Sequence, residues 1–457
     1  MLMEMKLKNL KDENILILGF GREGKDSYSV LRKLFPQKTI AIADKREISN
    51  LSEKEKKLLE ADKNLRVHFG KNYLKFLKKY SLVIKSPGIS IEQVKPFLGK
   101  KQKITSQTEI FFDNCPSEII GVTGTKGKGT TASLIYQILK EAGFKTRLIG
   151  NIGRPVLSEL FKTDKKTIFV YEISSHQLKN LKKSPHIAVF LNLFPAHLNF
   201  FKNFQDYKKA KENIALFQTE NDYFIYNSDY IELKNLAKRS RAKKITFNSR
   251  LNRQRLKKIL KEKNIALVGK FNLLNLMAAI SVVRIYGVPE EKIKRAVNSF
   301  QPLPHRLEFV GKYKKIEFYN DSLATVPEAT IAGIETFGPK LKTLIFGGED
   351  IPNMRFTSLA KKILKTQIKT LILLPDSGEK IRREIMKQTT SRLKKKIPKI
   401  LFASSMEEAV ERAYKNTADG VCLLSPGAPS FNLFKDYRER GNLFKKFVKK
   451  YAINKKL

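Results

Sequence analysis

Short apolar runs that end in glycine-bearing turns recur along the whole chain, each followed by a stretch with helical periodicity. That order favours parallel strands, because a strand that must return beside its predecessor in the same direction needs a crossover, usually a helix. ILILG (15–19), TIAIAD (39–44) and LVIKSPG (82–88) form one series. EIIGV (118–122), TIFVYEIS (167–174), IAVFLNL (187–193) and YFIYN (223–227) form a second, and TLIFGG (343–348), TLILLP (370–375), KILFAS (399–404) and GVCLLSPG (420–427) a third. The joins fall near Asp113–Pro116 and at the QPLP break, Gln301–Pro304, after which RLEFVGKYKKIEFYN is β-rich. The expected fold class is therefore α/β, in three domains over 1–115, 116–304 and 305–457.

Length agrees, since 457 residues exceed one ordinary core. No run approaches the roughly 18 apolar residues of a membrane span. The opening MLMEMKLKNLKDEN has neither an apolar core nor a small-residue cleavage site, so no export and no membrane partner are expected. Cys115 and Cys422 are the only cysteines, which excludes a disulfide framework and fits a reducing, cytoplasmic setting. The 89 Lys and Arg against 44 acids give +45. These charges are spread over many helices and loops, KEKK (54–57) and KRSRAKK (238–244) among them, without aromatic interleaving. We read them as surface decoration and expect no nucleic-acid partner.

Two glycine-rich turns carry chemistry. GVTGTKGKGTT (121–131) follows a strand and opens a helix expected to start near Thr130. Backbone N–H groups of such a turn surround phosphate oxygens, Lys128 neutralises charge on them, and the helix points its positive end at them. The strict P-loop pattern fails at Val122 and Gly129, so strand–loop–helix context carries the signal. Gly19, Gly21 and Gly24 form GxGxxG after the first strand, and Asp44 follows 20 residues after Gly24, the dinucleotide fingerprint. Alone this suggests a nicotinamide-dependent dehydrogenase. With a second nucleotide loop a domain later, the first site reads instead as a holder for a nucleotide that is part of the substrate.

TGTKGK, GNIG (150–153), YEISSHQL (171–178), GKFNLLN (269–275), LPHRLE (303–308), NDSLAT (320–325) and LLSPGAPSFNLF (423–434) occur in that order. Together they resemble the Mur ligase family, and within it the members that add D-glutamate. The resemblance implies a Rossmann-like N-terminal domain, a P-loop-type central ATPase domain and a Rossmann-like C-terminal domain. It implies ATP and Mg²⁺ as cofactors, UDP-N-acetylmuramoyl-L-alanine and D-glutamate as partners, an acyl-phosphate intermediate in peptidoglycan synthesis, and a monomer.

Site roles also follow from the resemblance. Gly124, Thr125, Lys126, Gly127, Lys128, Gly129 and Thr130 would surround the ATP phosphates, with Asn272, Asn275, Arg306 and Asp321 gripping the rest of the nucleotide. Glu172 and His197 would hold Mg²⁺ with Thr130 and with Lys211, which matches a lysine that becomes carbamylated. Lys128, Glu172, His197 and Lys211 form the expected catalytic set. Gly19, Gly21, Gly24, Asp44, Lys45, Ser86, Pro87 and Gly88 would hold the UDP end, with Asn151 and Ser174 on the muramoyl part. Thr325, Ser430 and Tyr437 match positions that hold D-glutamate.

Each residue also has a duller reading. His197 serves as well as a turn residue, Asn272 and Asn275 as helix caps, and Lys211 as a solvated helix lysine. Departures from the family pattern are Gly129 for a hydroxyl residue, Ala196 and Asn199 for acids, Phe271 for a histidine and Leu323 for a lysine. The 347–356 loop also lacks its lysine, a charge Arg355 is placed to supply. Competing readings are a related Mur or folate-type ligase with another amino acid, the dehydrogenase, and a nucleic-acid-stimulated ATPase.

Overall fold

The structure, a computed structural model, describes residues 6–162, 164–197, 200–249, 270–352, 354–389 and 397–453; Asn199 lies outside them. The chain divides into two compact units, one formed by Met1–Lys261 with Leu274–Val297, the other by Glu262–Leu273 with Asn298–Leu457. Two sheets lie in the first unit and one in the second.

The first sheet holds β1 (Ile15–Leu18), β2 (Ile40–Asp44), β3 (Leu65–Phe69), β4 (Leu82–Lys85) and β5 (Lys103–Thr105), in the order β3-β2-β1-β4-β5 and parallel throughout. All four residues of β1 are buried, as a central strand covered on both faces requires. Chain order reverses between β1 and β4, so the crevice beyond their carboxyl ends is where a nucleotide sits in such a fold. The helix Arg22–Leu34 starts at that crevice.

The second sheet is also parallel. It contains β6 (Glu118–Thr123), β7 (Thr146–Gly150), β8 (Ile168–Glu172), β9 (Ile187–Phe190), β10 (Tyr223–Asn227) and β11 (Lys243–Phe247), in the order β11-β10-β9-β6-β8-β7. Its central strand β6 lies between β8 and β9, in register Val122 with Glu172 and Thr123 with Phe190. The glycine loop after β6 is thus flanked by the ends of both neighbours.

Side chains tie these two sheets together within the first unit. Arg22 donates to the carbonyls of Gly150 and Asn151, and the Asp26 carboxylate accepts the Leu157 N–H at 3.1 Å. The Gln177 amide donates to Glu23 at 2.8 Å. Burial raises the carboxyl pKa of both Glu23 and Asp26, so each depends on these donors to stay ionised.

The third sheet, in the second unit, holds β12 (Glu308–Tyr313), β13 (Ile316–Asn320), β14 (Leu341–Gly348), β15 (Thr370–Asp376), β16 (Lys399–Phe402) and β17 (Gly420–Leu424). Its order is β12-β13-β17-β14-β15-β16, and only the β12–β13 hairpin is antiparallel. The last strand inserts between β13 and β14, which brings three loop-bearing carboxyl ends side by side. Among the described residues no helix is long and apolar enough to cross a membrane.

Candidate active site

The loop after β6 is shaped by backbone that only glycine adopts easily. Gly124 and Gly127 have φ of +157° and +86°, and a Cβ on Gly127 would collide with the Asn275 carboxamide. The helix Lys128–Glu141 begins at Gly127 with no side-chain cap, and its positive N-terminal end suits an anion. Asn192, just beyond β9, braces the loop. Its Oδ1 accepts the Lys126 N–H at 2.8 Å and its Nδ2 donates to the Lys126 carbonyl at 3.0 Å. The Thr125 hydroxyl bonds the Phe194 carbonyl at 3.1 Å and accepts from the Tyr207 hydroxyl at 3.1 Å. The Lys128 ammonium curls over the loop, donating to the carbonyls of Gly124 at 3.1 Å and Thr125 at 3.3 Å. Asn275 lies inside the helix Lys270–Ile285, which replaces the capping reading of both asparagines.

Around this loop stand the residues expected to hold a metal. Glu172 ends β8 and is buried; one of its carboxylate oxygens accepts the Ile152 N–H of the GNIG turn at 2.9 Å. Gly150 leads into that turn at φ +104°, where a Cβ would strike the Glu172 carbonyl. Lys211, on the helix Phe204–Leu216, is only 1% exposed. Its amine donates to the Thr123 hydroxyl at 3.1 Å and the Gly124 carbonyl at 2.8 Å. Burial, and then the charge of Lys128, push its pKa well below the lysine range, with Glu172 pulling the other way. The solvated-lysine reading fails here. His197 reaches solvent on a left-handed backbone (φ 56°), and its ring packs edge-on against His176. Partial burial and the charges of Lys128, Lys211 and Lys126 lower its pKa to about 4, leaving a neutral ring with a free lone pair at pH 7. Thr130 is buried in the first turn of the loop helix.

In the first sheet, Gly24 packs so closely on the β1 turn that a Cβ would run into the Gly19 carbonyl oxygen. Asp44 ends β2, but its carboxylate is spent inside the protein: it accepts the Phe20 N–H at 2.6 Å and the Arg46 N–H and Nε at 2.9 and 3.1 Å. Asp44 therefore shapes the glycine turn, and Lys45 beside it is exposed. Arg46, which the sequence reading passed over, also binds the Phe20 carbonyl at 2.8 Å. Ser86 hydrogen-bonds the Gly19 carbonyl at 3.3 Å, joining the SPG turn to the same crevice.

The second unit gathers its residues at the ends of β13, β14 and β17. Asp321 accepts from the Leu307 N–H at 3.2 Å and the Ser425 hydroxyl at 3.0 Å. Ser430 is buried, Thr325, Arg306 and Tyr437 are half-buried, and the Tyr437 carbonyl accepts the Ser322 hydroxyl at 2.7 Å. Beneath them Arg440 is fully buried. It donates to the Ser322 hydroxyl and carbonyl at 3.0 and 2.9 Å, and to the carbonyls of Ala428 and Pro429 at 3.1 and 3.2 Å. Burial lowers its pKa to about 9. Nothing in the basic, helix-period run YRERGNLF distinguishes this arginine from Arg438, so the sequence could not single it out.

Three largely parallel sheets, with a phosphate loop at the head of the central strand of the second, define a multidomain, nucleotide-dependent α/β enzyme. The Mur ligase middle domain matches residues 122–283, and the Mur ligase, glutamate ligase domain matches 305–428. A UDP-N-acetylmuramoylalanine–D-glutamate ligase of Acetivibrio thermocellus is 33% identical over 96% of this chain and 97% of its own. One of the same description from Clostridium acetobutylicum is 34% identical over 97% of each. The fold resembles that of the MurF ligase from Thermotoga maritima, solved with ADP, at a TM-score of 0.57 and 17% identity over 98% of both chains. The chain belongs to the Mur ligase family and is accordingly an ATP-dependent enzyme that forms an amide bond.

Proposed function

We propose that this ligase joins D-glutamate to UDP-N-acetylmuramoyl-L-alanine in peptidoglycan synthesis. The full-length similarity to ligases of that description supports the substrates. The observation that carries the chemistry is the uncapped glycine loop after β6, with Lys128, Glu172, His197 and the buried amine of Lys211 around it.

A carboxylate is a poor electrophile, so it is first made into a mixed anhydride. The alanine carboxylate oxygen attacks the terminal phosphorus of ATP, and the bond to ADP breaks. The D-glutamate amine then attacks the acyl carbon, the carbon–oxygen bond to phosphate breaks, and the amine's proton goes to solvent or phosphate. The loop N–H groups and Lys128 hold the phosphate charge in place as it shifts. Asn192 keeps those N–H groups aimed.

Among the described residues no three acidic, histidine or cysteine side chains form a ready metal cage. The donors present nevertheless fit Mg²⁺, which favours oxygen ligands: Glu172 offers a carboxylate, His197 a neutral ring, and a neutral Lys211 amine is able to take up CO₂ as a carbamate with two further oxygens. Bound there, Mg²⁺ would neutralise phosphate charge and polarise the terminal phosphoryl group. We read the three sheets as domains over 1–115 for the UDP end, 116–304 for ATP and 305–457 for the amino acid. Both cysteines are free, as befits a reducing cytoplasm where ATP and nucleotide sugars are at hand.

The test is phosphate release from ATP with UDP-N-acetylmuramoyl-L-alanine, with D-glutamate, L-glutamate, L-lysine or diaminopimelate supplied in turn. Turnover with D-glutamate alone is expected; preference for another amino acid, or for a folate acceptor, would reject the assignment.

A further inference from the structure

The strand β8 that delivers Glu172 runs on into a single helical turn, Ser175–Leu178. Ser174 and Gln177 fix its start with reciprocal bonds: the Ser174 hydroxyl accepts the Gln177 N–H at 3.3 Å, and Gln177 Oε1 accepts the Ser174 N–H at 2.9 Å. Ser175, Gln177 and Leu178 are buried, so His176 is the one side chain of that turn left half-buried. Its ring stands edge-on to His197 at 5.0 Å and to Phe200 at 4.2 Å, and tilted against Phe201 at 5.4 Å, between ring centres. These contacts hold the ring in place and use none of its polarity. Among the described residues neither ring nitrogen has a hydrogen-bond partner, and neither is sealed from solvent. A phenylalanine would pack in the same nook with no polar atoms to desolvate, so the aromatic contacts do not account for an imidazole.

The ring also feels charge from two directions. Burial, then His197, Lys211, Lys85 and Lys128, lower its pKa to about 4. Lys128 and Lys211 belong to the surroundings of the phosphate loop, whereas Lys85 ends β4 and donates into the SPG turn of the first sheet. His176 therefore stands between the nucleotide crevice and the phosphate loop, a neutral donor among cations. A substrate with its nucleotide in that crevice and its carboxylate at the phosphate loop has to bring the carboxylate past this ring.

We infer that His176 is a further catalytic residue, one ring N–H donating to the reacting carboxylate of the acceptor and steering its oxygen toward the terminal phosphorus of ATP. A neutral donor orients that oxygen while withdrawing less of its charge than an ammonium would, which preserves the nucleophile. The inference rests on the reading that the acceptor is a nucleotide-linked carboxylic acid spanning the two glycine turns.

Calorimetry and turnover of the full chain test it. His176→Phe keeps the ring packing and removes both nitrogens. Its affinity for UDP-N-acetylmuramoyl-L-alanine should fall about ten- to a hundredfold, as for a lost hydrogen bond to a charged group, and kcat/KM should fall at least as far. Affinity for UDP, and for the uncharged UDP-N-acetylmuramoyl-L-alaninamide, should stay within about twofold, because neither carries the carboxylate. A role confined to packing would move all three affinities together or leave all three alone. His176→Asn and His176→Gln each keep one N–H close to the place of Nδ1 or Nε2, and one of the two should recover most of the lost kcat/KM. Wild-type affinity and turnover in His176→Phe, or an equal loss for the acid and its amide, overturns the inference. If His176→Phe does not fold, the Asn and Gln variants decide the question: one should bind the acid at least tenfold tighter than the other, and equal acid affinities overturn the idea. Should the wild type turn over another acid and refuse UDP-N-acetylmuramoyl-L-alanine, the substrate reading fails, and the same comparison with that acid and its amide still decides the role of His176.

Discussion

Lys211 shows how far burial can change what one residue is able to do. An ordinary lysine is cationic at pH 7 and would repel a divalent metal. Here the amine is enclosed and hydrogen-bonded to Thr123 and Gly124, and burial beside Lys128 lowers its pKa well below the lysine range, which favours the neutral form. A neutral amine is a nucleophile for CO₂, and the carbamate that results turns a repelling group into an oxygen donor. Lys211→Ala should therefore lose activity by at least about a hundredfold, the scale of one lost electrostatic contribution at a phosphoryl centre. Millimolar acetate or formate should restore part of it by supplying the missing carboxylate. Lys128→Ala should fall as far without any rescue, since a carboxylic acid cannot replace a cation. Full activity of Lys211→Ala, or equal rescue of both variants, would remove the carbamate. Lys128 stood out in its glycine-rich loop, but sequence brought Lys211 to notice only through the family resemblance, because burial is invisible in a basic run such as YKKAKENI. Arg440, Arg46 and Asn192 were missed for the same reason: each has a partner far along the chain, Ser322 at 118 positions from Arg440, Phe20 at 26 from Arg46 and Lys126 at 66 from Asn192.

The elements were legible wherever both faces of a strand are buried. Every apolar run of the three series became a strand, because a central parallel strand leaves an almost unbroken apolar signature. Several edges were not legible, although KILFAS, which forms the edge strand β16, was. Leu65–Phe69 and Lys243–Phe247 are only partly buried, and the second begins within the basic run KRSRAKK, so charge hides the strand. The phosphate loop is the most exacting junction between elements. Gly127→Ala must place a side chain at φ +86° against Asn275, so the loop should open and activity fall at least tenfold, while cooperative unfolding persists. Unaltered KM for ATP in that variant would show that the loop tolerates the strain. At the end of β4, Lys85 offers a pH test. Burial lowers its pKa to about 8 as it donates to the carbonyls of Ser86 and Ile89. The unfolded chain keeps that proton up to about pH 10.4, so the native state binds fewer protons between those limits and gains stability as pH rises. Relative to Lys85→Met, the wild type should become more stable from pH 8 to 10, by at most about 1.4 kcal/mol per unit. A difference in urea midpoints that does not change with pH would contradict the buried-amine account.

At the scale of the whole molecule, two compact units each have their own buried core, which makes stepwise unfolding the expected behaviour. The first two sheets should melt together, since Arg22, Glu23 and Asp26 bind the second sheet's loops from the first helix of the first sheet. The third sheet should melt on its own. Gly24→Ala assigns the transitions: its Cβ meets the Gly19 backbone, which cannot give way cheaply, so it should lower only the transition of the first unit. UDP provides the converse. If the crevice beyond β1 and β4 holds the nucleotide end of the substrate, UDP at a hundredfold over its Kd adds about 2.7 kcal/mol to the unit that binds it. That should raise the first transition by roughly 5 °C and leave the other where it was. NAD at the same concentration should move neither, because Asp44, the acid a dinucleotide's ribose would need, is already engaged by Phe20 and Arg46. Scanning calorimetry of the wild type and Gly24→Ala, each with and without UDP or NAD, reads all of this in one experiment. A single transition that responds as one to both the substitution and the nucleotide would mean that the units do not unfold independently. A shift produced by NAD and not by UDP would return the first sheet to the dehydrogenase reading of its GxGxxG turn.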